Sequence, residues 1–252
     1  MSGCVIATSQ WGPMLVPFND EYVGKSILLD GVYSPEEFRG WVPYLAYGHH
    51  VIEVGTHCGA HTLAFARAVG HRGSVIGYDA QLGLVQMANG TMALNGMWHA
   101  EVRHNAVGAS TGTLRMARRD YLAHGNYGGL EAKDEGTGVA VPMTTIDHEA
   151  PAKCDFLKID VEGMEYQVLA GAKMTIRRCQ PVICCEADRK DQNAKVFGWL
   201  RQMGYSLYWQ TPRLGNAHPD TDSVNVLAIP DRLPNPVDLL PVGAGDVWPI
   251  QL

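Results

Sequence analysis

Val51-Ile-Glu-Val-Gly-Thr-His-Cys-Gly-Ala-His-Thr62 reads as a strand, a turn and the opening of a helix. Val51 to Val54 is a short apolar run with one acid, Glu53, near its end. Gly55 and Gly59 let the turn fold tightly and let a ligand approach the backbone. Thr62 to Val69 then continues as an Ala- and Leu-rich helix. In an open α/β sheet, ligands sit in the crevice beyond the strand C-termini, where this turn lies. The next strand, Ser74 to Tyr78, runs into Asp79, 20 residues beyond Gly59. At that spacing an acid reaches ribose hydroxyls, so the pattern points to a ribose-containing cofactor.

Outward from this unit, strands and helices keep alternating. Leu84, Val85, Ala88 and Met92 mark an amphipathic helix, and Ala100 to His104 a third strand. Phe156 to Ile159 and Pro181 to Cys185 are further strands, with a helix over Glu165 to Ala172 between them. Val196, Phe197, Leu200 and Met203 give one more helix. Tyr205 to Gln210 and Val224 to Ile229 follow without a helix between them, as an antiparallel hairpin at one edge. The expected fold is α/β and Rossmann-like, with a mostly parallel, doubly wound sheet. One domain over 1–252 is expected, with a helical N-terminal extension over 1–48 and a Pro-rich tail over 230–252. In the extension, Ser34-Pro35-Glu36-Glu37 reads as a capping box, and Phe38, Trp41, Val42 and Leu45 as the buried face of a helix that Pro43 ends early.

A dinucleotide fold needs G-x-G-x-x-G against a pyrophosphate. Here the spacing is Gly55-x-x-x-Gly59, with His57 between. The Glu53 carboxylate before the turn repels a phosphate and suits the ammonium of a methionine moiety. S-adenosylmethionine therefore fits better than NAD, and an NAD-dependent oxidoreductase is the rival reading. A non-catalytic nucleotide-binding module is a second rival, disfavoured by the acids at the strand ends.

Composition narrows the classes further. The 252 residues carry a net charge of -6 with a pI near 5.9 and no basic run, which argues against nucleic acid. No apolar run reaches membrane-spanning length, and Met1 to Gln10 has no signal-peptide pattern. Six cysteines without a C-x-x-C pair read as free thiols, so a cytoplasmic location is expected. A homo-oligomer is left open, through a Pro-rich tail able to pack on a second copy.

Four blocks make the chain resemble the FkbM family of methyltransferases, from about Gly24 to Pro230. They are VIEVGTHCGAHTLAFARAVG with GSVIGYD (51–79), MALNGMWHAEVRHNAVG (92–108), VPMTTID (141–147), and CDFLKIDVEGMEYQVLAGA with RCQPVICCE (154–186). The K-I-D-V-E-G-x-E core of the last block is the most distinctive. His57 and Asp79-Ala80 depart from the family's usual Asn and Glu-Pro, although Asp79 keeps the carboxylate. The resemblance implies a class I methyltransferase fold, S-adenosylmethionine as cofactor, and a cofactor site at Glu53, Gly55, Thr56, His57, Gly59, Thr62, Asp79, Ala80, Asn105 and Ala106. It implies methylation most often of oxygen on a small-molecule, sugar or lipid-like acceptor, with nitrogen of a peptide or amide as the alternative.

Removing a proton from a hydroxyl acceptor needs a base at the sheet edge that holds the cofactor. Asp160 and Glu162, with Lys158 beside them, are the catalytic candidates, and a purely structural Glu162–Lys158 ion pair is the alternative. Glu186 follows the next strand and is a candidate for the acceptor site. The glycine-rich His124 to Gly129 reads as a lid, with Asn126 and Tyr127 touching the acceptor. No metal is expected: His57 and His61 are four apart but lack a third ligand, and nothing in the spacing demands magnesium at Asp160 and Glu186.

Overall fold

The computed structural model describes residues 3–129, 138–212, 217–218, 223–234 and 238–249. Residues 130–137, which follow the glycine-rich His124 to Gly129, and parts of the tail lie outside them.

The apolar runs become the centre of a seven-stranded sheet. β1 (Cys4–Ser9) and β2 (Gly12–Pro17) form a separate antiparallel hairpin, followed by α1 (Val23–Asp30) and α2 (Pro35–Trp41). β3 (His50–Val54), α3 (Ala60–Val69), β4 (Ser74–Asp79), α4 (Leu82–Leu94) and β5 (Ala100–His104) build one half of the main sheet. β6 (Ala106–Val107), β7 (Gly112–Met116) and β8 (Val139–Thr144) make a small third sheet, and α5 (Ile146–Glu149) leads back. β9 (Phe156–Ile159), α6 (Glu165–Gly171), α7 (Lys173–Cys179), β10 (Val182–Glu186), α8 (Lys190–Gln202), β11 (Tyr205–Gln210) and β12 (Asn225–Pro230) complete it.

The strand order is β11-β12-β10-β9-β3-β4-β5. Neighbours from β10 to β5 are parallel, while β12 runs antiparallel to both β10 and β11. Successive strands step outward one way from β3 and the other way from β9. The switch point therefore lies between β3 and β9, where Glu53 faces Lys158 and Val54 faces Ile159. Alternate residues feed two cores. Val51, Phe156 and Cys184 pack with α2, α3 and the N-terminal hairpin, and Ile52, Leu157 and Cys185 pack with α6 to α8. Burial on both faces is why these strands read as continuous apolar runs.

Two expectations about the first 48 residues are corrected. The segment is not helical throughout, because it opens with a hairpin whose β2 packs on α4, where the Leu15 amide donates to Thr91 Oγ1 at 3.0 Å. The capping box also does not form. Ser34 sits at φ 41°, in the left-handed region, and not in the extended conformation that aims an N-cap hydroxyl at the helix. Helix α2 does end early, in a 3-10 turn over Val42–Tyr44 that contains Pro43.

The tail lies against the edge strand. The Trp209 amide donates to Leu240 O at 2.8 Å and the Val242 amide to Leu207 O at 2.9 Å, so the outer rim of β11 is paired. All six cysteines are free. Among the described residues no helix is long and apolar enough to cross a membrane.

Candidate active site

A cavity of about 320 Å³ opens at the C-terminal ends of β3, β4, β9 and β10. Its first wall is the turn after β3. Gly55 has φ 86°, and a Cβ there would lie 1.7 Å from the Asp160 carbonyl oxygen, so the turn and the end of β9 meet as backbone on backbone. His57 is also left-handed, at φ 51°. It is held there by Asp79, whose Oδ2 accepts the His57 amide at 2.8 Å while Oδ1 accepts the Gln81 amide at 2.8 Å. Burial pushes the Asp79 carboxyl up, against these backbone bonds and His57. Each carboxylate oxygen keeps a second acceptor site for a hydroxyl. Asn105 and Ala106 line the cavity after β5, with Tyr78, Val107 and Met116 as apolar wall.

A buried charge network forms the floor. Glu53 is 1% exposed and accepts the Thr62 hydroxyl at 2.6 Å. Burial lifts its pKa to about 7, against Lys158 and Thr62. Lys158 Nζ lies 3.9 Å from Glu53 and donates to Asp160 Oδ2 at 2.9 Å. Burial opposes its charge, yet Asp160, Glu53 and Glu37 together raise its pKa and keep it protonated. This network fixes the Asp160 carboxylate at the cavity wall.

Beyond it, carboxylate oxygens of Asp160, Glu162 and Glu186 lie within 4.8 Å of one another, the one group among the described residues with metal-ligand geometry. Glu162 pairs with Arg189 at 2.9 Å and not with Lys158, so the structural ion pair considered for Glu162 and Lys158 does not form. Burial and the charges of Asp160 and Asp188 lift Glu162 to about 7, and burial with Asp160 raises Glu186 well above the carboxylate range.

The cavity brings together Glu53, Gly55, Thr56, His57, Asp79, Ala80, Asn105, Ala106, Asn126, Lys158, Asp160, Glu162 and Glu186. Three expected residues lie behind its wall. Gly59 caps α3 against Ala88, and Thr62 acts through Glu53. Tyr127 turns away from the acceptor position expected for it: its ring is 1% exposed, packs edge-on against Tyr121, and its hydroxyl donates to Ala123 O at 2.6 Å. Its aromatic bulk and interior bonds make it an anchor of the loop, while Asn126, Gly128 and Gly129 face the cavity.

Four further residues carry no sequence signal that assigns them to this site. Asp20, 2% exposed, accepts the amides of Gly24 at 2.7 Å and Tyr127 at 2.9 Å and faces His57 Nε2 at 3.7 Å. Burial works against a charged His57, but Cys58 and Asp20 outweigh it and lift the imidazole to about 10. Tyr33, Glu37 and His61 line the cavity from below. Glu37 accepts from Asn225 Nδ2 at 2.7 Å, and burial lifts it to about 7. Asn-Asp after Pro17-Phe18 is a turn signal that marks Asp20's loop, but nothing local marks its reach to His57.

The fit to S-adenosylmethionine is set by this donor chemistry. The turn presents a carboxylate pair, Glu53 and Asp79, and the glycine pattern of a pyrophosphate cradle is missing from it. The family model for the methyltransferase FkbM domain matches residues 53–207. No curated protein matches the chain in sequence. Among solved structures, a methyltransferase FkbM from Methylobacillus flagellatus KT is similar at 13% identity and TM-score 0.53, over 72% of this chain and 44% of that one. This chain thus spans less than half the length of that relative. A SAM-dependent methyltransferase from Aquifex aeolicus matches at 15% identity and TM-score 0.43, over 78% and 89% of the two chains. A putative rRNA methylase from Clostridium thermocellum matches at 12% and 0.48, over 77% and 94%. At 13% identity the likeness to the Methylobacillus structure speaks for the fold alone.

Proposed function

This chain belongs to the FkbM family of S-adenosylmethionine-dependent methyltransferases, and we propose that it methylates a hydroxyl oxygen on a small-molecule, sugar or lipid-like acceptor. The observation that carries this reading is a cavity with two differently built ends at one sheet edge. Glu53, the Gly55 turn and Asp79 face one end, and Asp160, Glu162 and Glu186 the other.

When bound, the cofactor supplies an electrophilic methyl group on a sulfonium. Asp79 would take its ribose hydroxyls and Glu53 its methionine ammonium, and Asn105 and Ala106 would flank its adenine. Holding donor and acceptor in line is worth about 7–11 kcal/mol of the barrier. Asp160, held by Lys158, orients the acceptor hydroxyl. Glu162, poised near neutrality, takes its proton.

The first test is a thermal-shift comparison of S-adenosylmethionine, S-adenosylhomocysteine and NAD. Saturation at 100-fold above Kd gives roughly 5–10 °C for a chain of this size. Shifts with the two methionine compounds alone are expected, and a shift with NAD alone overturns the reading. Once an acceptor is in hand, full turnover in both Asp160→Asn and Glu162→Gln would remove the catalytic assignment.

A further inference from the structure

We propose that the acceptor end of the cavity recognises a protonated amine, carried by the acceptor molecule beside the hydroxyl that is methylated. The inference rests on the methyl-transfer reading above.

Charge count at this end is the first argument. Five carboxylates line it: Glu37, Asp160, Glu162, Glu186 and Asp188. Lys158 is engaged by Asp160 at 2.9 Å and shared with Glu53 at 3.9 Å. Arg189 is engaged by Glu162 at 2.9 Å and Asp188 at 3.8 Å. Glu37 and Glu186 are left over, and Glu37 already accepts from Asn225 Nδ2 at 2.7 Å. Glu186 Oε2 is shut off from solvent and accepts no hydrogen bond among the described residues. A buried carboxylate oxygen without a partner is costly, and a cation placed there removes the cost.

His61 supplies an independent observation. It is 5% exposed, lines the same cavity, and its Nε2 is buried without a hydrogen-bond partner. Burial and the neighbouring Lys158 charge hold the ring neutral. Nε2 lies 3.9 Å from Glu37 Oε2, beyond hydrogen-bond reach. His61 Nε2 and Glu186 Oε2 are two buried polar atoms of one cavity that an occupant can satisfy.

An ammonium has three N–H donors and one positive charge, and beside Glu186 it lets that acid give up the proton that burial and its acidic neighbours hold on it. A divalent cation fits less well. Two of its three ligands would be Asp160 and Glu162, which Lys158 and Arg189 already neutralise, and its second charge would face the Lys158 ammonium. The amine is a recognition group and stays protonated; methyl transfer goes to the neighbouring oxygen.

The test uses the full chain saturated with S-adenosylhomocysteine, with that binding first measured by calorimetry. Saturation-transfer NMR then compares matched probes, tyramine with tyrosol and glucosamine with glucose. The amine of each pair should bind about tenfold tighter, the effect of one charged hydrogen bond. Glu186→Gln should abolish the preference while binding S-adenosylhomocysteine like the parent. Glu186→Asp, which keeps the charge, is the second variant and should retain most of it. Equal binding within each pair, or no binding by either amine, overturns the proposal. So does Mn²⁺ binding seen by electron paramagnetic resonance and lost in Glu186→Gln, which would assign the cluster to a metal. Failure to bind S-adenosylhomocysteine would instead remove the methyl-transfer reading itself.

Discussion

Gly55 shows how tightly single positions are specified. Gly245 shares its left-handed backbone, at φ 92° against 86°, but has nothing within 4 Å of the place a Cβ would take. Gly245→Ala should cost only the conformational term, about 1–2 kcal/mol. Gly55→Ala adds a clash with the Asp160 carbonyl, so it should lower Tm further and abolish S-adenosylhomocysteine binding by calorimetry. Equal melting temperatures for the two variants would contradict this contact. Glu37 gives a prediction with a sign. Its folded pKa, about 7, lies above the ordinary 4.5, so the native state holds the proton more tightly. Its contribution is fully present below about pH 4.5 and is lost as pH rises through about 7. Glu37→Gln keeps an acceptor for Asn225 and removes this loss. Relative to the parent it should gain stability, up to about 3 kcal/mol, between pH 4.5 and 8. A constant difference across that range in denaturant titrations would show that Glu37 is ionised throughout.

At the scale of elements, the N-terminal segment and the 122–128 loop are zipped together over the cavity. The Glu21 amide donates to Gly125 O at 3.0 Å, the Gly125 amide to Asn19 O at 3.2 Å, and Gln81 Nε2 to Tyr127 O at 2.7 Å. Asp20 is the centre of this seam. Asp20→Ala leaves the Gly24 and Tyr127 amides without partners, at about 1–3 kcal/mol each, and removes the anion facing His57. Limited proteolysis should then cut the 119–129 loop faster, and an unchanged rate would mean that the seam is held by its backbone pairs alone. This seam also marks where the sequence stops being legible. Strands β3, β9, β10 and β12 are readable because burial on both faces writes them as apolar runs. The Gly55 turn and Asp79 are readable together because one βαβ unit holds them. The hairpin β1–β2 is short and half-buried, and its Gln10-Trp11 turn carries no strong signal. The other end of the cavity draws Glu37, His61, Asp160 and Glu186 from four separate elements, so no window of sequence contains it. Tyr127 escapes a local reading in part for the same reason: its amide and carbonyl are held by Asp20 and Gln81, far along the chain.

For the molecule as a whole, an excess of acid shapes how a ligand arrives. The chain carries a net charge of -6, and carboxylates line both ends of the cavity. Such a field draws cations towards the opening, and salt weakens it as the screening length falls from about 30 Å at 0.01 M to about 8 Å at 0.15 M. S-adenosylmethionine carries one net positive charge and S-adenosylhomocysteine none, while their shapes differ by one methyl group. The pair therefore isolates the field from the contacts. Stopped-flow fluorescence should show association of S-adenosylmethionine slowing several-fold over that salt range, with S-adenosylhomocysteine nearly unchanged. Dissociation rates should hold for both, because the contacts inside the cavity are buried and poorly screened. Parallel salt slopes for the two ligands would place the acid excess outside the path of entry and leave the cavity's own carboxylates to act only on contact.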